Sequence, residues 1–185
     1  MTTLLTILTI LSSFLTNLET KTLQSDFTVT VSEQADMPMN YPGTLVMQGE
    51  QFKLKMFSLE AAYDGQTMYM YSAETDELTL TNPSRQELIE TNPFLYAKTM
   101  CGLCEVTERS EGELTVITLT PKDQSAGINR FVLRLRTADL MPLQLDIKEG
   151  AKTSTLRMKN PQFIEELYEY KLTPGNETYI NDMRL

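Results

Sequence analysis

From Asp26 to Leu172 the chain is a succession of short segments in which apolar and polar residues alternate, cut by turn-forming residues. Side chains along a strand point to opposite faces at every second residue, so each segment gathers its apolar members on one face. Phe27, Val29 and Val31 alternate with Thr28 and Thr30. Pro38 and Pro42 then mark a loop ending at Gly43, and Thr44 to Gln48 runs into a turn at Gly49-Glu50. Phe52, Leu54 and Met56 alternate with Lys53 and Lys55. Asp64-Gly65 is a hairpin signal, because glycine accepts the positive φ such turns require. Met68 and Met70 follow, alternating with Tyr69 and Tyr71, and Leu78 and Leu80 alternate with Thr79 and Thr81. Further strands are expected at Glu113–Thr120, Arg130–Arg136, Pro142–Lys148 and Thr153–Met158, with a last alternating segment at Tyr168–Leu172.

Roughly ten short strands joined by hairpin-like links imply one large, curved antiparallel sheet. Two stretches depart from that period. Leu4 to Leu18 has helical spacing: Thr6, Thr9, Ser13 and Thr16 form a polar stripe, while Leu4, Leu8, Leu11, Leu15 and Leu18 lie on another face, widened by Leu5, Ile7, Ile10 and Phe14. This run is too short and too interrupted to span a bilayer, and no Lys or Arg precedes Lys21 to form the basic start of a signal peptide. The second departure is a helical insertion. Asn82-Pro83 reads as the cap and first turn of a helix through Glu90, and Asn92-Pro93 as the start of another through Met100. Helices so few do not make an α/β fold. The expected fold is mainly β: an incomplete, open antiparallel β-barrel over residues 1–185 as a single domain, with an N-terminal helix and a short helical lid covering an apolar concave face.

Composition narrows the function classes. The net charge of −9 disfavours nucleic acid, whose phosphates need clustered Lys and Arg. The chain has no His, which removes the commonest general base and zinc ligand and excludes Ser-His and Cys-His nucleophile systems. No Gly-rich phosphate loop and no carboxylate cluster of metal spacing stands out, so no cofactor or metal is expected. Eleven methionines suit a surface that adapts to varied apolar shapes, although core filling explains any one of them equally.

The candidate groove is the apolar set Leu45, Met47, Phe52, Leu54 and Met56, together with Leu133 and Leu135. Tyr69 and Tyr71, or else Met68 and Met70, turn to the same surface. Leu8, Leu11, Phe14 and Leu15 of the first helix are the plug, or a permanently docked core helix. Phe94 and Leu95 belong to the second lid piece. Cys101-Gly-Leu-Cys104 has the spacing of a thiol–disulfide exchange pair, but it follows a helix, lies outside any βαβ pattern and has Lys98 as its nearest base. In an oxidising compartment the pair is expected to form a local disulfide pinning the loop after the lid. Asp182 and Arg184 read as a structural ion pair.

An ordered set of motifs resembles the LolA family of outer-membrane lipoprotein carriers: Gly43-Thr-Leu-Val-Met47, Phe52-Lys-Leu-Lys-Met56, Tyr63-Asp-Gly-Gln-Thr-Met-Tyr-Met-Tyr71, Thr91-Asn-Pro-Phe-Leu95, Leu119-Thr-Pro-Lys122, and Pro174 through Asp182-Met-Arg184. The resemblance implies a carrier without chemistry. Its apolar interior would take the acyl chains of a lipoprotein from an inner-membrane ATP-driven lipoprotein-releasing transporter and pass them to an outer-membrane lipoprotein acceptor. It implies a periplasmic monomer that binds acylated lipoproteins and no nucleic acid, with an export signal removed ahead of Met1. Related folds also serve as lipid-sensing regulatory domains, and a thiol oxidoreductase using Cys101 and Cys104 is the third reading. Many members of the family carry an Arg-Pro pair, associated with lid closure, before the strand matching Phe52–Met56. Here that stretch is Gln48-Gly-Glu-Gln51, so no lid-locking residue is carried over.

Overall fold

A computed structural model describes residues 2–33, 37–123, 127–165 and 168–184, with side chains from residue 10 onward. Helix α1 (Thr2–Thr20) comes first. It buries Leu11, Phe14 and Leu18, spaced three and four residues apart on one face. The hydroxyls of Thr16 and Thr20 donate to the carbonyls one turn back, at 2.9 and 2.8 Å, which satisfies them without interrupting the helix.

Six strands follow: β1 (Thr22–Ser32), β2 (Met39–Gln48), β3 (Gln51–Met56), β4 (Leu59–Tyr63), β5 (Met68–Ser72) and β6 (Glu77–Thr81). Helices α2 (Arg85–Thr91) and α3 (Pro93–Met100) come next, then a turn of 3₁₀ helix at Cys101–Leu103. Five more strands are β7 (Cys104–Glu111), β8 (Leu114–Pro121), β9 (Arg130–Arg136), β10 (Met141–Glu149) and β11 (Lys152–Ile164), with β12 (Tyr179–Asp182) last. All lie in one sheet, ordered β12-β6-β5-β4-β3-β2-β1-β11-β10-β9-β8-β7.

This order explains the lid. Strands β1 to β6 step outward by hairpins in one direction, and β7 to β11 step back from the far edge until β11 pairs with β1. The connection from β6 to β7 therefore joins opposite sides of the sheet and must cross one of its faces; α2 and α3 are that connection. Edges β12 and β7 do not pair with each other, so the curved sheet stays open.

The expected open β-barrel with its helices is present, with local differences. The sheet has twelve strands, and β12 pairs parallel with β6 rather than antiparallel. Tyr168–Leu172 is not a strand; Leu172 is buried against Leu78 and Leu80 on the convex face. Pro42 lies inside β2, beyond the last β2–β3 pair of Gly43 with Met56, where β2 has a neighbour on one side only and a missing N–H is tolerated. The cap of α2 is Ser84, not Asn82. Its side chain accepts from the Glu87 N–H while the Glu87 carboxylate accepts from the Ser84 N–H, a reciprocal capping box. The cap of α3 is Asn92 with Pro93 in the first turn, as the sequence suggests. Asp182 and Arg184 form the expected ion pair at 2.5 Å, which holds the Asp182 carboxyl down at about 2.

Candidate functional site

Strand register defines the concave face. Met47 pairs with Phe52, Leu45 with Leu54, and Gly43 with Met56, so all these positions share one side of the sheet. Leu23, Phe27 and Val29 join them from β1, and Leu145, Ile147 and Leu156 from β10 and β11. Gly43 has no side chain for a packing reason: an added Cβ would stand 2.5 Å from Cζ of Phe27 and 2.5 Å from the Lys55 carbonyl. The Phe27 ring thus lies over the glycine and forms part of the floor.

On this floor sits a cavity of about 210 Å³. Leu45, Met47, Phe52, Leu54 and Met56, the five residues of the candidate groove, all line it. Its roof is the junction of the lid helices, Thr91, Asn92, Pro93 and Phe94. Phe94 meets Phe14 of α1 with ring centroids 5.8 Å apart, so lid and N-terminal helix form one apolar cover. Leu11 and Phe14 are buried and Leu15 is partly buried in the same cluster. Leu95 is buried there too, and Tyr96 stacks on Phe131 at 5.7 Å. The side chain of Leu8 lies outside the described residues.

Three expectations are corrected. Tyr69 and Tyr71 face the convex side, where they pack with Ala62, Leu78, Leu80 and Leu172; Met68 is the member of that strand that joins the concave core. The Tyr69 hydroxyl donates to Asp64 at 3.0 Å. Leu133 and Leu135 do face the concave side, but they are fully buried in packed core and do not border the cavity. Cys101 and Cys104 are both free thiols. The Cys101 Sγ turns back to the Lys98 carbonyl at 3.3 Å, while Cys104 is buried in the core cluster, where burial pushes its thiol upward.

Sequence reading did not find the polar seam that fastens the lid. At the tip of the β2–β3 hairpin the Gly49 N–H donates to the Leu18 carbonyl at 2.6 Å, joining the hairpin to the end of α1. Glu50 pairs with Arg85 of α2 at 2.7 Å. Lys98 of α3 pairs with Glu19 of α1 at 2.5 Å and lies 3.9 Å from Glu50. Where the resemblance would place a cation ahead of β3, this chain has an acid, and the cations come from the lid. The charge alternation could have been noticed; its pairing depends on the fold.

No protein-family model matches the chain. Over 117 residues it is 26% identical to an outer-membrane lipoprotein carrier protein of Legionella pneumophila (strain Corby), a stretch covering 60% of this chain and 58% of that relative. Among solved structures, an uncharacterized conserved protein from Thermus thermophilus superposes with a TM-score of 0.62 at 12% identity, over 93% of this chain and 96% of that one. A chain of the MucA/MucB complex of Pseudomonas aeruginosa superposes with a TM-score of 0.56 at 14% identity, over 92% of this chain and 61% of that one. The two structural likenesses establish a shared fold. The sequence likeness to the carrier relatives, on an open, lidded sheet, supports a divergent LolA-like protein.

Proposed function

We propose that this chain is a periplasmic carrier that binds the acyl chains of lipoproteins in its concave cavity and moves them between membranes, with no covalent chemistry. The observation that carries the reading is the cavity itself. It is walled by Leu45, Leu54, Met56 and Ile147, backed by Met47 and Phe52, and roofed by the junction of α2 and α3, whose polar ties to the hairpin tip and to α1 are the partly exposed pairs Arg85–Glu50 and Lys98–Glu19. A wall of this kind binds hydrocarbon by area alone, about 0.8 kcal/mol per buried methylene. Only modest affinity per chain is compatible with onward transfer. An inner-membrane ATP-driven transporter would load the carrier and an outer-membrane acceptor would unload it; both partners belong to this proposal.

The test is release. Inner-membrane vesicles holding a labelled lipoprotein and the matched transporter are mixed with the protein and ATP, and the soluble fraction is examined for a one-to-one complex. The expected result is ATP-dependent complex formation that Leu54→Glu abolishes, because a carboxylate in the cavity wall must either lose its charge or keep out hydrocarbon. Thr44→Glu, exposed on the convex face beside Lys55, should release lipoprotein like the parent. Failure of release alongside binding of free acyl lipids would favour a lipid-sensing domain of the same fold.

A further inference from the structure

The cavity roof contains one polar group whose hydrogen-bonding capacity the protein leaves unused. Asn92 is 4% exposed. Its backbone N–H donates to the Leu88 carbonyl at 2.9 Å and its carbonyl accepts from Tyr96 at 3.1 Å. Its side-chain Oδ1 accepts from the Phe94 and Leu95 N–H groups at 3.1 and 3.2 Å, closing the start of α3. Nδ2 alone has no partner. The two N–H donors fix which amide atom faces the helix, so Nδ2 must face away from it. Asn92 is one of the residues lining the cavity, and most of the others are Leu, Met, Phe, Ile, Val and Pro, which offer no side-chain acceptor. The neighbouring Thr91 hydroxyl is already committed, donating to the Glu87 carbonyl at 2.5 Å.

A cap does not need this group. Asp or Ser closes a helix start as well as Asn does, and neither leaves an amide donor behind. A buried donor without an acceptor is costly, and a ligand that brings an acceptor removes the cost. From this we infer that the Asn92 Nδ2 donates a hydrogen bond to the carbonyl oxygen of an acyl ligand, ester- or amide-linked, so that the site reads the acyl carbonyl as well as the hydrocarbon. The inference rests on the acyl-binding reading above. It also orients the ligand, with the carbonyl at the junction of α2 and α3 and the tail along the floor of β1, β2 and β3.

The discriminating probes are palmitoyl lysophosphatidylcholine and its hexadecyl ether analogue, which share headgroup and chain length but differ in the carbonyl. Their binding to the whole protein is measured by calorimetry below their micelle concentrations. The ester is expected to bind about tenfold more tightly, the order of one buried hydrogen bond. In Asn92→Asp and Asn92→Ser, which keep a capping oxygen, that preference should fall to less than about twofold while the ether still binds. Equal binding of the two probes by the parent overturns the inference without touching the carrier reading, and needs no variant. A preference retained in both variants overturns it as well. Binding of neither probe overturns the acyl-binding reading and the inference together.

Discussion

The Arg85 guanidinium of α2 stands 2.7 Å from the Glu50 carboxylate at the tip of the β2–β3 hairpin, tying the lid to the sheet across the seam. Both side chains are partly solvated, at 51% and 33% exposure, so the pair contributes about 0–1 kcal/mol and salt screens it. A weak tie suits the proposed carrier, whose cover would have to open. Arg85→Ala should leave the melting temperature nearly unchanged and speed release of a bound fluorescent acyl probe by about two- to fivefold. High salt should speed release from the parent and add little to the variant. Identical release rates in stopped flow would mean that the seam does not govern opening.

Gly43 and Phe27 set the shape of the floor. A methyl group at Gly43 would meet both the Phe27 ring and the Lys55 carbonyl at 2.5 Å. Overpacking of this kind costs roughly 1–3 kcal/mol, and about 2–4 °C of melting temperature follows each kcal/mol at this chain length. Gly43→Ala should therefore melt about 5 °C lower by calorimetry. Adding Phe27→Leu should restore only part of the loss, because the Lys55 carbonyl remains in place. An unchanged melting temperature would show that β2 and β3 move apart at little cost.

How much of this was legible in the sequence depended on whether a strand has one apolar side or two. In β3 only one face is apolar, so Phe52, Leu54 and Met56 declared themselves. In β4 Ala61 belongs to the concave core and Ala62 to the convex cluster, so both are buried and no alternation remains to be read. The same two-sided covering left the choice between Met68 and Tyr69 open until the fold decided it. Strand β7 turns Cys104, Val106 and Glu108 toward one face, a pattern in which charge replaces the apolar period at the exposed end of an edge strand. Strand β12 is too short to carry a period at all. The real alternation of Tyr168–Leu172 reflects docking on the convex face instead of ladder pairing. The unused donor of Asn92 was invisible, since its capping role accounts for the residue until the cavity beside it is known.

The two thiols differ in surroundings, and their chemistry should follow. Cys104 is buried, which pushes its thiol upward and suppresses the reactive thiolate, while Cys101 is half-exposed. Iodoacetamide at neutral pH should alkylate Cys101 at least about tenfold faster than Cys104, read by peptide mass spectrometry. The Cys101→Ala, Cys104→Ala double variant should bind acyl ester within about twofold of the parent, since neither sulfur borders the cavity. Loss of binding with the fold intact would revive a thiol-dependent function.

Exposure along β2 rises from one end of the groove to the other. Met47 is 1% exposed, Leu45, Gly43 and Tyr41 are half-buried, and Met39 is 58% exposed. On β3 the same direction leads from buried Phe52 through Met56 to Phe57 in the following turn. The Tyr41 and Phe57 rings meet edge to face at 5.7 Å, and the Tyr41 hydroxyl points to the Met39 sulfur at 3.2 Å. The covered groove thus continues onto an open lip of methionine and aromatic side chains. A cavity of about 150 Å³ takes one benzene, so 210 Å³ accommodates only part of a long acyl tail, and the rest should lie on this lip. Replacing Met39 and Phe57 together with Ser should weaken binding of a palmitoyl ester by about tenfold and of an octanoyl ester by less than about twofold. The chain has no Trp, so Met39→Trp supplies a single fluorescent reporter. Bromine at the far end of the palmitoyl chain should quench it, and bromine near the carbonyl should quench it less. The reverse order would place the tail under the lid and the carbonyl at the lip.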